Sequence, residues 1–214
     1  TQVIPETGET DFIDENELAY LKAQARFMRA YYHFLLFELY GPIPIMDFIE
    51  SPTNQGIDYA RNSVDEVVKF IYDELTAVQN SLRDPNLTDL NNNAIPTKGT
   101  ALALRAKLMI YAASPLFNGG YEAALGVTNT DGKRLFPDYD ASKWQAALDA
   151  TQAFIDYANA GHYALYKVND AQGKLDPHRS IYELHNTMNS EVIFARSSVN
   201  WGNVSGPSGF DGLS

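Results

Sequence analysis

Apolar residues recur at alternating steps of three and four between positions 18 and 39, the spacing of one face of an α-helix. This row consists of Leu18, Leu21, Ala25, Met28, Tyr32, Leu35 and Leu39. A second apolar row beside it consists of Phe27, Tyr31 and Phe34. Two rows indicate a helix that is contacted on more than one side. Asp14, with Glu17 three residues on, is its expected N-cap, and Gly41-Pro42 its expected end.

A second helix is predicted after Ser63, which forms an S-x-x-E capping box with Glu66. Its apolar face comprises Val64, Val67, Val68, Ile71, Leu75, Val78 and Leu82. Thr97 is the expected cap of a third, alanine-rich helix that runs to about Ala113. Because small side chains let helices approach closely, this third helix is expected to be central.

A fourth helix is predicted to start near Asp140 or Ser142 and to end at Gly161. Its expected apolar face comprises Trp144, Ala147, Leu148, Thr151, Ile155 and Ala158. The helical pattern then stops. A short extended stretch is predicted at 163–166, a turn of helix at 181–184 and a strand at 191–197.

These elements predict an all-α fold of TPR-like antiparallel helix pairs with long loops and a minor short-strand element. Residues 1–162 form the predicted helical core. Residues 163–214 form a predicted loop-rich segment that contains the short strand and begins the ligand-binding part.

Composition narrows the function classes. The 214 residues are 45% hydrophobic, which is enough for a sizeable core. The formal net charge of −11 disfavours nucleic acid and anionic membrane surfaces as partners. The chain has no cysteine, which excludes thiolate metal sites and a cysteine nucleophile. No apolar run is long enough to span a bilayer.

Little in the sequence points to catalysis. A glycosidase needs two carboxyl groups held across a cleft, but the acidic residues near helix starts are better explained as N-terminal caps. The histidines show no zinc-binding spacing, and neither a metal nor another cofactor is predicted. Arg26 and Arg29 lie on the apolar first helix, so ion pairs with acids on neighbouring helices are expected.

Aromatic residues beside amides in the loops are the candidate ligand-binding residues. An exposed ring can stack on the C–H face of a sugar, and an amide can bind its hydroxyls. Four residues are predicted to bind ligand on this ground: Trp201, Asn203, Tyr121 and Asn118. The alternative is that these aromatics only pack their loops onto the helical core.

Several segments, in order, resemble the SusD/RagB family of bacterial outer-membrane nutrient-binding lipoproteins. The run A-R-F-x-R-A-Y-Y-x-F…L-Y-G-x-I-P within 23–44 is similar to the signature helix of that family. The segments 97–111 and 113–118 are similar to its alanine-rich helix and the exit from it. Asp140-Ala-Ser-Lys-Trp144 and Glu191-Val-Ile-Phe194 match two later motifs.

The resemblance implies carbohydrate binding without chemistry, in nutrient uptake. Family members sit on the outer face of the outer membrane through a lipid anchor, which would lie outside this chain. They deliver glycans or other nutrients to a SusC-like TonB-dependent transporter. Some of their ligand contacts follow the E-v-I-F motif, where Trp201 and Asn203 lie. Members are considerably longer, so the chain resembles a central fragment.

Two other functions stay open from the sequence. A TPR-like protein–protein adaptor would present an open apolar groove between the first and fourth helices. An all-α glycan-cleaving enzyme would show two facing carboxyl groups, one of them with a raised pKa.

Overall fold

The structure, a computed structural model, describes residues 14–51, 53, 56–86 and 94–195. In this part of the chain the helices are α1 (Glu15–Tyr40), α2 (Val64–Val78), α3 (Lys98–Ala113), the one-turn α4 (Glu122–Leu125), α5 (Ser142–Tyr157) and α6 (Pro177–Asn186). A π-helical turn, Ala158–His162, follows α5 directly. The fold is all-α, as predicted. No helix in the described residues combines the length and the hydropathy that crossing a bilayer requires.

Helices α1 and α2 pack side by side in opposite directions. Glu17, near the start of α1, forms an ion pair with Arg83, just beyond the end of α2. At the other end, the backbone N–H of Asn62 donates to the carbonyl of Ile43 over 2.9 Å. The first predicted antiparallel pair is therefore present.

Helix α3 lies between its neighbours. It packs against both α2 and α5 and also contacts α1. The backbone N–H of Lys98 donates to the carbonyl of Arg83 over 2.9 Å, which ties the start of α3 to the end of the α2 segment. Small side chains of α3 are buried at these contacts, among them Ala101, Ala106 and Ala112. The prediction that the alanine-rich helix is central is confirmed.

The helix starts follow the predicted caps. The Ser63 hydroxyl accepts from the N–H of Glu66, and the Glu66 carboxylate accepts from the N–H of Ser63 over 2.8 Å, which completes the capping box of α2. Asp14 accepts from the N–H of Glu17 over 2.9 Å and caps α1. Thr97 caps α3 by accepting from the N–H of Thr100.

The whole predicted apolar face of α2 is buried. It meets the largest buried side chains of α1, which are Phe27, Phe34 and Phe37. Burying a side chain of this size contributes roughly 1.5–3 kcal/mol relative to leaving it exposed. This contact is the centre of the core.

The two apolar rows of α1 have unequal roles. The second predicted row supplies the fully buried Phe27 and Phe34, whereas the first row is only partly buried after Leu18, with Met28 and Leu35 packed at the edge of the core. Tyr32 is 58% exposed and Leu39 75% exposed. The prediction that α1 is contacted on more than one side is confirmed, and the second row is the more deeply buried of the two. The face with small residues, Ala23 and Ala30, is the one that α2 and α3 can approach closely.

The predicted buried face of α5 needs a similar correction. Ala147 and Ala150 are buried against the rest of the bundle, but Trp144, Leu148 and Ile155 are 43–58% exposed. The close packing of α5 on α3 selects the alanines, because larger side chains would hold the two helices apart.

The strand predicted at 191–197 is wrong over residues 191–195, which form a turn and bends. Within the described residues no strand runs beside this segment to accept its backbone hydrogen bonds; only isolated β-bridges occur, at Thr128–Arg134 and Asn169–Leu175. The segment is held from the side instead. The Thr100 hydroxyl donates to the carbonyl of Ile193, and the Phe194 ring packs edge-on against Phe27 and Tyr31.

Two further elements differ from expectation. The turn of helix predicted at 181–184 is the ten-residue α6, capped by Asp176, which accepts from the N–H of Arg179 over 3.0 Å. The one-turn α4 lies in the connection between α3 and α5, where no helix was predicted. The division of the chain at residue 162 stays a prediction.

Candidate functional site

Asn118, one of the predicted ligand-binding residues, is completely buried. Its side-chain N–H groups donate to the carbonyls of Asp140 and Ala113, over 2.9 and 3.4 Å. Its side-chain oxygen accepts from the N–H of Asp140 over 2.9 Å. The residue therefore joins the exit from α3 to the start of α5. In this arrangement its amide is used by the protein and does not meet a ligand from solvent, which corrects the expected contact.

The loop after Asn118 lies very close to a second loop. Gly119 has a φ of +73°, and a Cβ added there would lie 2.3 Å from the backbone nitrogen of Tyr139. Only glycine fits both constraints. Tyr121, which was predicted to bind ligand, is 54% exposed, and Tyr139 is 64% exposed. Tyr139 is not indicated by the sequence, because it comes near this loop only through the Asn118–Asp140 pairing.

Trp201 and Asn203, the other two predicted ligand-binding residues, lie outside the described residues and stay a prediction. Of the described residues that precede them, Phe194 packs against Phe27 and Tyr31 of α1, and Ile193 lies beside Thr100 near the start of α3. Tyr121 lies beyond the opposite end of that helix. Since α3 has 16 residues, its ends are about 24 Å apart. The structure thus places Tyr121 beyond one end of α3 and Ile193 near the other.

A cleft of about 420 Å³ with both polar and apolar walls lies at the end of the bundle where α3 starts, and we call it the end cleft. The first turns of α1, the segment after α2 and Ile193 form its walls. The Arg83 guanidinium lies 4.0 Å from the centre of the Tyr20 ring and pairs with Glu17. Asp84 accepts a hydrogen bond of 2.6 Å from the hydroxyl of Tyr157.

Two tyrosines, the partly buried Tyr157 and the buried Tyr163, lie behind the end cleft. Burial, with the hydrogen bond to Asp84, raises the pKa of Tyr157, and burial likewise raises the pKa of Tyr163. The Tyr163 hydroxyl lies 3.4 Å from that of Thr97, which itself lines the cleft. Both phenols therefore stay protonated at neutral pH and act as hydrogen-bonding groups.

The ion pairs predicted for the arginines of α1 are confirmed. Arg26 and Arg29 both donate to the carboxylate of Glu74 on α2, over 2.7 Å for the Arg26 Nη2. Burial alone would raise the pKa of Glu74, but the hydrogen bonds from the two arginines hold it below its usual value. This cluster joins two helices, and its carboxylate is fully engaged by the two arginines.

His33 is a structural histidine, as its helical position suggests. Its Nδ1 lies 2.8 Å from the carbonyl of Arg29, and its Nε2 accepts from the N–H of Met46 over 3.0 Å. The ring thus anchors the segment that follows α1. Across residues 14–51, 53, 56–86 and 94–195, no three His, Asp or Glu side chains converge to hold a metal ion.

Comparison with known proteins agrees with this architecture. Residues 6–110 match a family model for SusD-like proteins, described as "Starch-binding associating with outer membrane". The chain is 31% identical to SusD-like protein P2 of Formosa agariphila over 142 residues, which is 65% of this chain and 26% of that protein. The curated relative is thus about four times as long as the matched segment.

Solved structures of BT4246 match the fold. One has a TM-score of 0.63 at 32% identity and covers 72% of this chain and 27% of BT4246. The selenomethionine form has a TM-score of 0.68 at 28% identity and covers 89% of this chain and 36% of that one. With the helix pairs in place, the chain is similar to SusD-like proteins both in sequence and in fold.

Proposed function

We propose that the protein binds a glycan without cleaving it and hands it to a SusC-like TonB-dependent transporter at the outer face of the outer membrane. One observation carries the proposal: residues 6–110 match a family described as starch-binding and associated with the outer membrane. The chain spans about a quarter of the curated relative it matches, so ligand and partner belong to the proposal. Attachment through a lipid anchor outside this chain is part of the same proposal.

The arrangement of the loops supports binding through aromatic rings. Tyr121 and Tyr139 are exposed on two loops that the Asn118–Asp140 hydrogen bonds hold together. A rigid, exposed ring loses little conformational freedom when it stacks on the C–H face of a sugar, which favours binding. Trp201 and Asn203 remain the predicted contacts after the E-v-I-F motif.

The state of the carboxyl groups supports a role without catalysis. A glycosidase needs a general acid whose pKa is raised. Among the described residues, every carboxyl group with a shifted pKa is shifted downward. In Glu38 and Glu183, hydrogen bonds from Tyr111 and Tyr166 are the largest cause. These groups are ionised at neutral pH and suited to holding the scaffold together.

Calorimetric titration of the protein with starch-derived and other soluble oligosaccharides tests the proposal. Trp201→Ala and Tyr121→Ala are each expected to weaken binding roughly three- to tenfold, because an aromatic contact contributes about 0.5–1.5 kcal/mol. Tyr182→Ala, which removes an exposed tyrosine from α6, is the matched control and should leave affinity unchanged.

The possible outcomes distinguish an error in the predicted ligand contacts from an error in the proposed function. If an oligosaccharide binds and both variants keep full affinity, the predicted contacts are wrong although binding stands. If no oligosaccharide binds at millimolar concentration, or if reducing sugar is released, the proposed function is wrong.

A further inference from the structure

The end cleft is independent of the loop that carries Tyr121. It lies at the opposite end of α3, about 24 Å away. Its volume of about 420 Å³ falls within the range of roughly 300–1,000 Å³ typical of small-molecule pockets. No predicted ligand-binding residue lies in its walls, although Thr97 and Ile193 belong to segments that resemble the family.

The rim of the cleft carries both hydrogen-bond donors and hydrogen-bond acceptors. Arg83 offers a planar fork of donors, and Asp84 and Glu17 offer carboxylate acceptors. A carboxylate can accept about four hydrogen bonds, so Asp84 keeps acceptor capacity beyond its bond from Tyr157. Gln24 adds an amide that both donates and accepts. Paired donors and acceptors of this kind match vicinal hydroxyl groups, each of which donates and accepts at once.

The floor of the cleft is apolar. Leu21, Ile95 and Ile193 are partly buried there, beside the buried ring of Tyr20. Arg83 already covers one face of that ring. A sugar combines an apolar C–H surface with a rim of hydroxyl groups. Its C–H surface would pack on the apolar floor of the cleft, and its hydroxyl groups would bind the polar groups of the rim.

The charge of the cleft selects among sugars. Two carboxylates, Glu17 and Asp84, stand against the single guanidinium of Arg83, and the whole chain carries a formal charge of −11. An added sulfate or uronate group would be repelled by this local and overall excess of negative charge. The lining thus favours an uncharged sugar.

We propose that the end cleft is a saccharide subsite that takes a neutral mono- or disaccharide unit of the bound glycan. The inference rests on the proposed function, because it specifies where and how part of the glycan is held. Asp84 and Gln24 bind hydroxyl groups, Arg83 is held in place by Tyr20 and Glu17, and the apolar floor takes the C–H face.

The test is calorimetric titration with neutral trisaccharides of glucose, galactose and mannose, repeated with a sulfated counterpart of the tightest binder. Asp84→Asn, which can still accept from Tyr157, and Gln24→Ala are each expected to weaken binding at least threefold. Asp149→Asn on α5 removes an exposed carboxylate far from the cleft and should have no effect. The sulfated sugar should bind more weakly than the neutral one. Circular dichroism confirms that each variant is folded.

The remaining outcomes distinguish the two proposals. If Trp201→Ala weakens binding while Asp84→Asn and Gln24→Ala do not, the cleft is not a subsite but the proposed function stands. If the sulfated sugar binds more tightly than the neutral one, the inferred class of sugar is wrong. If no trisaccharide binds at millimolar concentration, both proposals fall.

Discussion

Gly99 lies in the first turn of α3, with the ring of Tyr163 packed directly against it. A Cβ at this position would lie 2.4 Å from the Tyr163 hydroxyl oxygen and 2.5 Å from Cε2. Tyr163 is buried and contacts the rings of Phe154 and Tyr157, so it has little room to move. The glycine is therefore required by the close approach of the residue 163 segment, despite its low helix propensity.

We predict that Gly99→Ala destabilises the protein by about 1–2 kcal/mol. Forcing a methyl group into a packed site typically costs about 1–3 kcal/mol, which outweighs the gain of up to about 1 kcal/mol in helix propensity. Urea unfolding measures the change. Gly126→Ala is the matched control: nothing lies within 4 Å of a Cβ there, so its stability should change by less than about 0.5 kcal/mol. Equal stability of the two variants would contradict the close contact.

At the scale of elements, the start of α2 is sensitive to acid. Glu66 closes the capping box and pairs with Lys133, 2.7 Å from its Oε1. The hydrogen bond from Lys133, followed by that from the Ser63 backbone, lowers the pKa of Glu66 from 4.5 to about 2. Because the folded-state pKa is depressed, the ionised carboxylate stabilises the fold above pH 4.5, and this contribution is lost as the pH falls toward about 2.

We predict that Glu66→Gln makes the free energy of unfolding less dependent on pH in the acid range. At neutral pH the free energy of unfolding of the variant should be lower than that of the parent by no more than about 1 kcal/mol. The reason is that the ion pair of Glu66 with Lys133 is close to half exposed and is screened by solvent. Between about pH 5 and pH 2 the difference from the parent should shrink toward zero. Urea unfolding at several pH values measures it, and a constant difference across the range would show that Glu66 does not titrate as described.

The ion pairs between α1 and α2 give a second prediction at this scale. Glu74→Ala leaves Arg26 and Arg29 without their shared carboxylate. It is expected to lower the free energy of unfolding by about 2–3 kcal/mol. This is less than the roughly 3–5 kcal/mol for a fully buried pair, since the two arginine side chains are 38% and 28% exposed. Asp73→Ala, which breaks an exposed pair with the neighbouring Lys69, should cost less than about 0.5 kcal/mol. Equal losses of stability for Glu74→Ala and Asp73→Ala in thermal unfolding would show that the ion pairs of Glu74 contribute no more than an exposed pair.

Helices with local start signals and one apolar face could be predicted in their starts and buried faces, although α2 ends at Val78, before Leu82 of the predicted face. In α2, the Ser63–Glu66 box and a single row of apolar residues set both the start and the buried face. In α1 the start could be predicted from Asp14, but the two apolar rows left the buried face undecided. The 191–195 segment looked like a strand because its residues are β-formers, yet a strand also needs a paired neighbour, and none lies beside it in the described residues.

At the scale of the whole molecule, protection from solvent is uneven. Helix α3 contacts α1, α2 and α5, and Leu108 on it is completely buried. In α6, by contrast, Ser180 is the buried residue, whereas Ile181 and Tyr182 are 60% and 65% exposed. A helix with few buried apolar contacts can open locally without global unfolding of the protein.

We therefore predict that amide hydrogens of α3 exchange only with global unfolding, while those of α6 exchange through local opening at least a hundredfold faster. Hydrogen exchange followed by mass spectrometry, at several urea concentrations, measures both. Rates in α3 should rise with urea, and those in α6 should change little. Matching rates and urea dependence in the two helices would show that the described residues unfold as one unit.

The sequence by itself determined where the main helices start, that they pair in succession, and that α3 is central, because caps, apolar period and small residues act within one element. Only the tertiary structure decided which faces of α1 and α5 are buried, that Asn118 is a buried link between loops, and that Tyr20, Arg83 and Asp84 line one cleft. A helix that is apolar on several sides has no preferred face until a neighbour packs against it. A cleft between residues far apart in the chain exists only once the helices have assembled.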